Sequence, residues 1–183
     1  MTSPDSVPGD ERLRLFLALR LPEHVLDALE AWQGALRRVR VVPRAHLHIT
    51  LAFLGSRPAG ELDAILAALR AAAAAAPADL PLAPSGYRET RSVAMLALDD
   101  PAGGATKLAE DVQGRLEALG VYRRENRPWL PHITVARFRE RPRLRLDPPP
   151  MGTFVPSDAA AYLSRLHPGG AQYVVLESVG LGG

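Results

Sequence analysis

His48 and Thr50 stand two residues apart in the run His46-Leu47-His48-Ile49-Thr50-Leu51-Ala52-Phe53-Leu54-Gly55. The same spacing returns at His132 and Thr134 in Pro131-His132-Ile133-Thr134-Val135-Ala136-Arg137-Phe138. An imidazole titrates close to neutrality, so it can give or take a proton. A hydroxyl beside it can donate to an anionic oxygen. Two such pairs in one cleft supply an acid and a base on either side of a phosphorus centre. The hydroxyls and a guanidinium, with Arg137 the nearest candidate, would stabilise charge on the non-bridging oxygens. That chemistry is phosphoryl transfer or phosphodiester cleavage, and it requires no metal or other cofactor. The chain has no GxxxxGK[ST] phosphate loop. A cyclic phosphate, with one leaving oxygen, suits such a site.

The residues need rigid elements to hold them. Side chains alternate across a strand, so His48 and Thr50 share one face, about 6–7 Å apart along the chain. Ile49 and its apolar neighbours then face the core. The two His-Ile-Thr copies start 84 residues apart, a period too long for a solenoid and suited to two similar halves. Around them the pattern reads as a strand at 12–20, a helix at 22–38 and a strand from Leu47 closed by Gly55. A helix from Pro58 to about Ala76 follows, then a strand pair near 80–88 and 92–98. A third helix runs to about Leu119, the second His-Ile-Thr strand spans about 131–138, and two strands near 158–166 and 172–179 finish the chain. This order implies an α+β fold, bilobal, with two similar lobes each carrying an antiparallel sheet and flanking helices around a central cleft.

Composition limits the alternatives. With 183 residues, 47% of them apolar, the chain can fill one core. Residues 1–10 are polar with Pro and Gly and read as a disordered leader, leaving 11–183 as a single bilobal domain. No Cys is present, so there is no disulfide, thiolate nucleophile or Cys-bound zinc. No apolar run is long enough to span a membrane. These features fit a cytoplasmic monomer with no membrane partner. Lys107 is the sole lysine, and the remaining basic residues are arginines, suited to phosphate recognition. They cluster at Arg37 to Arg40, at Arg123-Arg124 and from Arg137 to Arg145.

Paired His-x-Thr strands in a bilobal chain of this length resemble the two-histidine (2H) phosphoesterase superfamily. Within it the likeness is to the RNA 2′,3′-cyclic phosphodiesterases, also called 2′-5′ RNA ligases. It extends over Arg14-Leu15-Phe16-Leu17-Ala18, the two motif runs with Arg127-Pro128-Trp129-Leu130 before the second, and Tyr173 to Val179. The resemblance implies metal-independent hydrolysis of RNA or nucleotide 2′,3′-cyclic phosphate ends to 2′-phosphomonoesters, with ligation as the reverse reaction. It implies His48 as proton donor, His132 as proton acceptor, and Thr50, Thr134 and Arg137 as phosphate ligands. The copies are not chemically equal, because Phe53 stands where the second copy has Arg137.

Other readings stay open in the sequence. His46 is expected on the same face as His48, and His-x-His could bind a metal, though no further ligand cluster of suitable spacing stands nearby. A non-catalytic RNA-binding module would use the arginines only to position phosphates. His24 and His167 read as surface residues. Trp129 and Phe16 could stack on a base but read as core packing.

Overall fold

The computed structural model describes residues 11–182. Its strands form one antiparallel sheet in the order β4-β5-β6-β3-β1-β7-β8, with a short β2 beside β6. They are β1 (Arg12–Arg20), β2 (Arg40–Val41), β3 (Ile49–Pro58), β4 (Ala83–Glu89), β5 (Val93–Asp99), β6 (His132–Arg137), β7 (Asp158–His167) and β8 (Gly170–Val179). The helices are α1 (Glu23–Gln33), α2 (Leu62–Ala75) and α3 (Gly104–Ala118). The two expected lobes are the two halves of this sheet. One holds β4, β5, β6 and β2; the other holds β3, β1, β7 and β8. They meet where β3 pairs with β6 through one register pair, Ile49 with Ile133.

Each strand face has its own occupants. Leu15, Leu17 and Leu19 of β1, Ile49 and Leu51 of β3, and Ile133 and Val135 of β6 are buried in one apolar cluster. The helices join the same cluster through Val25 and Leu29 of α1, Ile65 and Leu69 of α2, and Leu108, Val112 and Leu116 of α3. These spacings of four residues give each helix one apolar stripe. The opposite sheet face carries a small aromatic cluster of Phe16, Tyr162 and Tyr173. That face is open, and it carries the site. Among the described residues no helix is long and apolar enough to cross a membrane.

Several boundaries differ from the periodicity. The first helix stops at Gln33 instead of 38, and the chain beyond it turns at Arg38 into the left-handed region at φ 59°. The helix expected from Pro58 opens as a single 3-10 turn, Ala59–Glu61, before α2. Gly55 does not end its strand. It sits inside β3 at φ 66°, where the register with β1 shifts. A glycine accepts that conformation without steric cost, so the strand bends and continues. The proposed leader, 1–10, lies outside the described residues.

Candidate active site

The first motif enters from a 3-10 turn, Arg44–His46, and becomes strand only at Ile49. His46 is therefore in the turn and not on the strand, as its alternation with His48 had implied. It still reaches the same cavity, packed against Tyr173 with ring centroids 4.3 Å apart and planes tilted by 35°. Burial lowers the pKa of His46. Its carbonyl accepts a hydrogen bond from Nδ1–H of His48 at 2.8 Å. A carbonyl can only accept, so the proton of the neutral ring sits on Nδ1 and Nε2 is left with its lone pair. That Nε2 is 3.0 Å from Thr50 Oγ1, which donates to it.

The second copy repeats the arrangement. Nδ1–H of His132 donates to the carbonyl of Leu130, again two residues earlier, at 2.8 Å. Ile49 and Ile133 are each fully buried, so the residues on either side of both face the open side of the sheet. Antiparallel pairing at those isoleucines sets His48 opposite Thr134 and Thr50 opposite His132. Trp129, on the approach to the second motif, donates its indole N–H to the carbonyl of Thr50 at 3.0 Å. It ties one motif to the other, and is half-buried in the core as its packing reading required.

Strict alternation would send Phe53 and Arg137 to the helical face, since each lies five residues after its histidine. Both line the cavity instead. The reason is a register shift just after each threonine. Ala18 pairs with Thr50 but Leu17 with Ala52, so Leu51 is extra. Met95 pairs with Thr134 but Ala94 with Ala136, so Val135 is extra. A β-bulge reverses the sense of alternation beyond it. A buried glutamine meets the carbonyl of the extra residue in both halves, and at Val135 that carbonyl also accepts the backbone N–H of Val42 at 2.9 Å. Gln113 of α3 donates to Leu51 O at 2.9 Å, and Gln33 of α1 donates to Val135 O at 2.9 Å. Sequence reasoning missed both glutamines and both bulges. The available signal was two successive apolar residues after each threonine, Leu51-Ala52 and Val135-Ala136.

The result is a cavity of about 530 Å³, in the size range of ligand pockets. His48, Thr50, Thr134 and Arg137 line it, together with Arg14, Arg40 and Tyr173, which the sequence reading had not offered as site residues. His132 is half-buried at the adjoining position on the same face. The His48 pKa is lowered to about 4, chiefly by burial. The hydrogen bond to His46 opposes that shift, while the charges of His132, His46 and Arg137 add to it. Phe16 covers one side of the ring at 4.9 Å between centroids. Phe16 is itself 3% exposed, so it packs and does not present a face to ligand.

Some members of the arginine clusters have other partners. Arg141, with the backbone N–H groups of Arg143 and Leu144, engages Glu89, and Arg124 pairs with Glu117. Arg40 is the cavity member of its cluster, donating to Gly169 O at 3.1 Å on the β7–β8 turn. Among the described residues there is no group of three or more His, Asp or Glu placed to hold a metal, so His46 and His48 have no further ligand beside them.

Residues 21–150 match the model of the 2′-5′ RNA ligase superfamily. An RNA 2′,3′-cyclic phosphodiesterase of Thermus thermophilus is 37% identical over 182 residues, covering 93% of this chain and 91% of the relative. One of Escherichia coli is 31% identical, covering 69% of this chain and 73% of the relative. A crystal structure of a Thermus thermophilus protein superposes with a TM-score of 0.79 at 33% identity, over 93% of this chain and 99% of the other. With its two His-x-Thr strands set against each other across one sheet, the chain belongs to the 2′-5′ RNA ligase superfamily of two-histidine phosphoesterases.

Proposed function

We propose that this protein hydrolyses RNA 2′,3′-cyclic phosphate ends to 2′-phosphomonoesters, without a metal ion. The observation that carries the reading is the Ile49–Ile133 pair, which sets the two His-x-Thr segments opposite each other on the open face of the sheet, with His48, Thr50 and Thr134 lining an arginine-containing cavity and His132 beside it. The names of the two relatives support the same activity.

In this reading Thr50, Thr134 and Arg137 hold the non-bridging oxygens. His132, neutral, takes a proton from the attacking water as its oxygen bonds to phosphorus. The P–O3′ bond breaks, and His48 gives a proton to the departing 3′ oxygen. The products are a 2′-phosphate and a 3′-hydroxyl, and the proton now on His132 returns to His48 through solvent. In the free protein His48 is neutral at pH 7, since burial holds its pKa at about 4. A bound phosphodiester anion beside Nε2 favours the protonated ring. His48 therefore takes up its proton with substrate, on the nitrogen that faces the cavity.

In this reading residues 11–183 are one domain acting on RNA ends as a monomer, in keeping with site residues that all come from one chain, and the cytoplasm is its compartment. The deciding experiment is incubation of purified protein with cyclic-phosphate mononucleotides and short oligonucleotides in excess chelator. The expected product carries a 2′-phosphate. A 3′-phosphate product, or activity lost in chelator and restored by zinc or manganese, overturns the reading. Binding without turnover supports the non-catalytic alternative.

A further inference from the structure

Arg14, Arg40 and Arg137 line the cavity, and among the described residues no Asp or Glu does. The chemistry above uses only Arg137. Arg40 and Arg137 are register partners in the β2–β6 pair. Residues directly opposite in such a pair share a face, with Cα atoms about 4.5–5.5 Å apart. Like charges in those positions repel and destabilise the sheet. Neither guanidinium has a carboxylate partner among the described residues. Two arginines held side by side at a cavity without a counter-ion suit anions, because a bound phosphate offsets their repulsion and accepts charge-assisted hydrogen bonds.

The two groups serve different parts of the cavity. The charge of Arg137 is felt at His48, where it helps to lower the imidazole pKa. Arg40 instead reaches across to the β7–β8 turn in the other half of the sheet, and its Nη2 donates to the Gly169 carbonyl at 3.1 Å. The turn leaves room for it. A Cβ on residue 170 would stand 2.6 Å from that Nη2, and Gly170 has a φ of 123°, which side chains rarely adopt. The carbonyl uses one guanidinium N–H and leaves the others free for a second acceptor. A cation fixed in advance at the rim loses less freedom when a ligand binds.

We propose that Arg40 is a second phosphate ligand, holding the phosphate on the 5′ oxygen of the nucleotide whose 2′,3′-cyclic phosphate is opened. That group is either a free 5′-phosphate or the link to the preceding nucleotide. This rests on the phosphodiesterase reading. A terminal nucleotide carries its two phosphates on one ribose, and the cavity of about 530 Å³ offers an anion ligand for each, Arg137 beside the threonines and Arg40 at the rim. The enzyme then selects cyclic ends that bear a 5′-phosphoryl group over cyclic nucleotides with a 5′-hydroxyl.

The test is run in chelator at fixed ionic strength. It compares a nucleoside 2′,3′-cyclic phosphate with its 5′-phosphorylated form, and a dinucleotide carrying the same cyclic end with one whose linkage is an uncharged methylphosphonate. Binding of nucleoside 2′-phosphate and of nucleoside 2′,5′-bisphosphate is measured separately. The charged member of each pair is expected to be favoured about tenfold or more, through KM and Kd and not through kcat. Arg40→Ala should bring each ratio close to one, and Arg40→Lys should leave it between that and the parent. Each result is a ratio within one variant, so partial loss of folded protein does not alter it. Equal values for charged and uncharged members in both pairs, or a parental ratio in Arg40→Ala, overturns the proposal. A gain confined to the 5′-phosphorylated mononucleotide assigns the site to free nucleotides, and one confined to the dinucleotide assigns it to RNA. The two readings fail separately. Preferred binding of the bisphosphate without hydrolysis keeps the Arg40 site and sinks the phosphodiesterase; hydrolysis without a preference does the reverse.

Discussion

The side-chain amide of Gln113 donates to the carbonyl oxygen of Leu51 at 2.9 Å, from a helix on the closed face of the sheet to the bulge on β3 that turns Phe53 toward the cavity. Gln33 does the same for Val135, whose bulge turns Arg137. A buried carbonyl left without its donor costs about 1–3 kcal/mol. Gln113→Leu should therefore destabilise the fold by roughly that amount. Gln33→Leu should act on phosphate binding through Arg137, raising KM more than it lowers kcat. Thermal unfolding and steady-state kinetics on both variants check this. Parental stability in Gln113→Leu would show that the bulge holds without its glutamine.

His48→Ala and His132→Ala should each lower turnover by about 10²–10⁴-fold, the usual contribution of one general acid or base. The double variant should lose less than the product of the two, because both protons move in one displacement. Single-turnover hydrolysis by the parent and the three variants measures it. Near-parental turnover in either single variant removes that histidine from the chemistry.

Arg137 offers a planar fork to a phosphate, and lysine offers a point charge. Arg137→Ala should raise KM for a cyclic phosphate by about tenfold or more, with Arg137→Lys between it and the parent. An unchanged KM in Arg137→Ala would reduce Arg137 to a solvated charge at the end of β6.

The His48 pKa carries a stability signature. In the folded protein it is lowered to about 4 by burial, against an ordinary value of 6.5. Between those values the unfolded chain binds the extra proton and the folded one does not. Stability from this group is therefore complete above about pH 6.5 and falls as pH drops toward 4. His48→Asn should flatten the acid limb of a plot of unfolding free energy against pH. Inorganic phosphate should reduce the acid loss in the parent, because an anion at Nε2 favours the charged ring and binds only the folded state. A parent and variant with the same slope from pH 7 to 4 would contradict the assignment.

The amino-acid sequence by itself determined the chemistry available and most of the local geometry. His-x-Thr on an extended segment dictates a shared face, because backbone sterics alternate side chains whatever the rest of the chain does. The apolar stripes at three- and four-residue spacing dictated α1, α2 and α3 for an equally local reason, while the early stop of α1 at Gln33 was not legible there. Even the bulges left a trace, in the doubled apolar pairs Leu51-Ala52 and Val135-Ala136. What only the tertiary structure decided is what meets what. Ile49 pairs with Ile133 because two distant strands bury a common apolar face, and no local rule sets that register. Arg14 and Tyr173 complete the cavity because β1, β3, β7 and β8 are neighbours in the sheet. Phe53 and Arg137 face the site because helices packed on the far side supply Gln113 and Gln33 to the bulges. Alternation is a property of one strand. The position of a bulge depends on its partners, so the side of the sheet on which Phe53 and Arg137 emerge was settled by long-range packing.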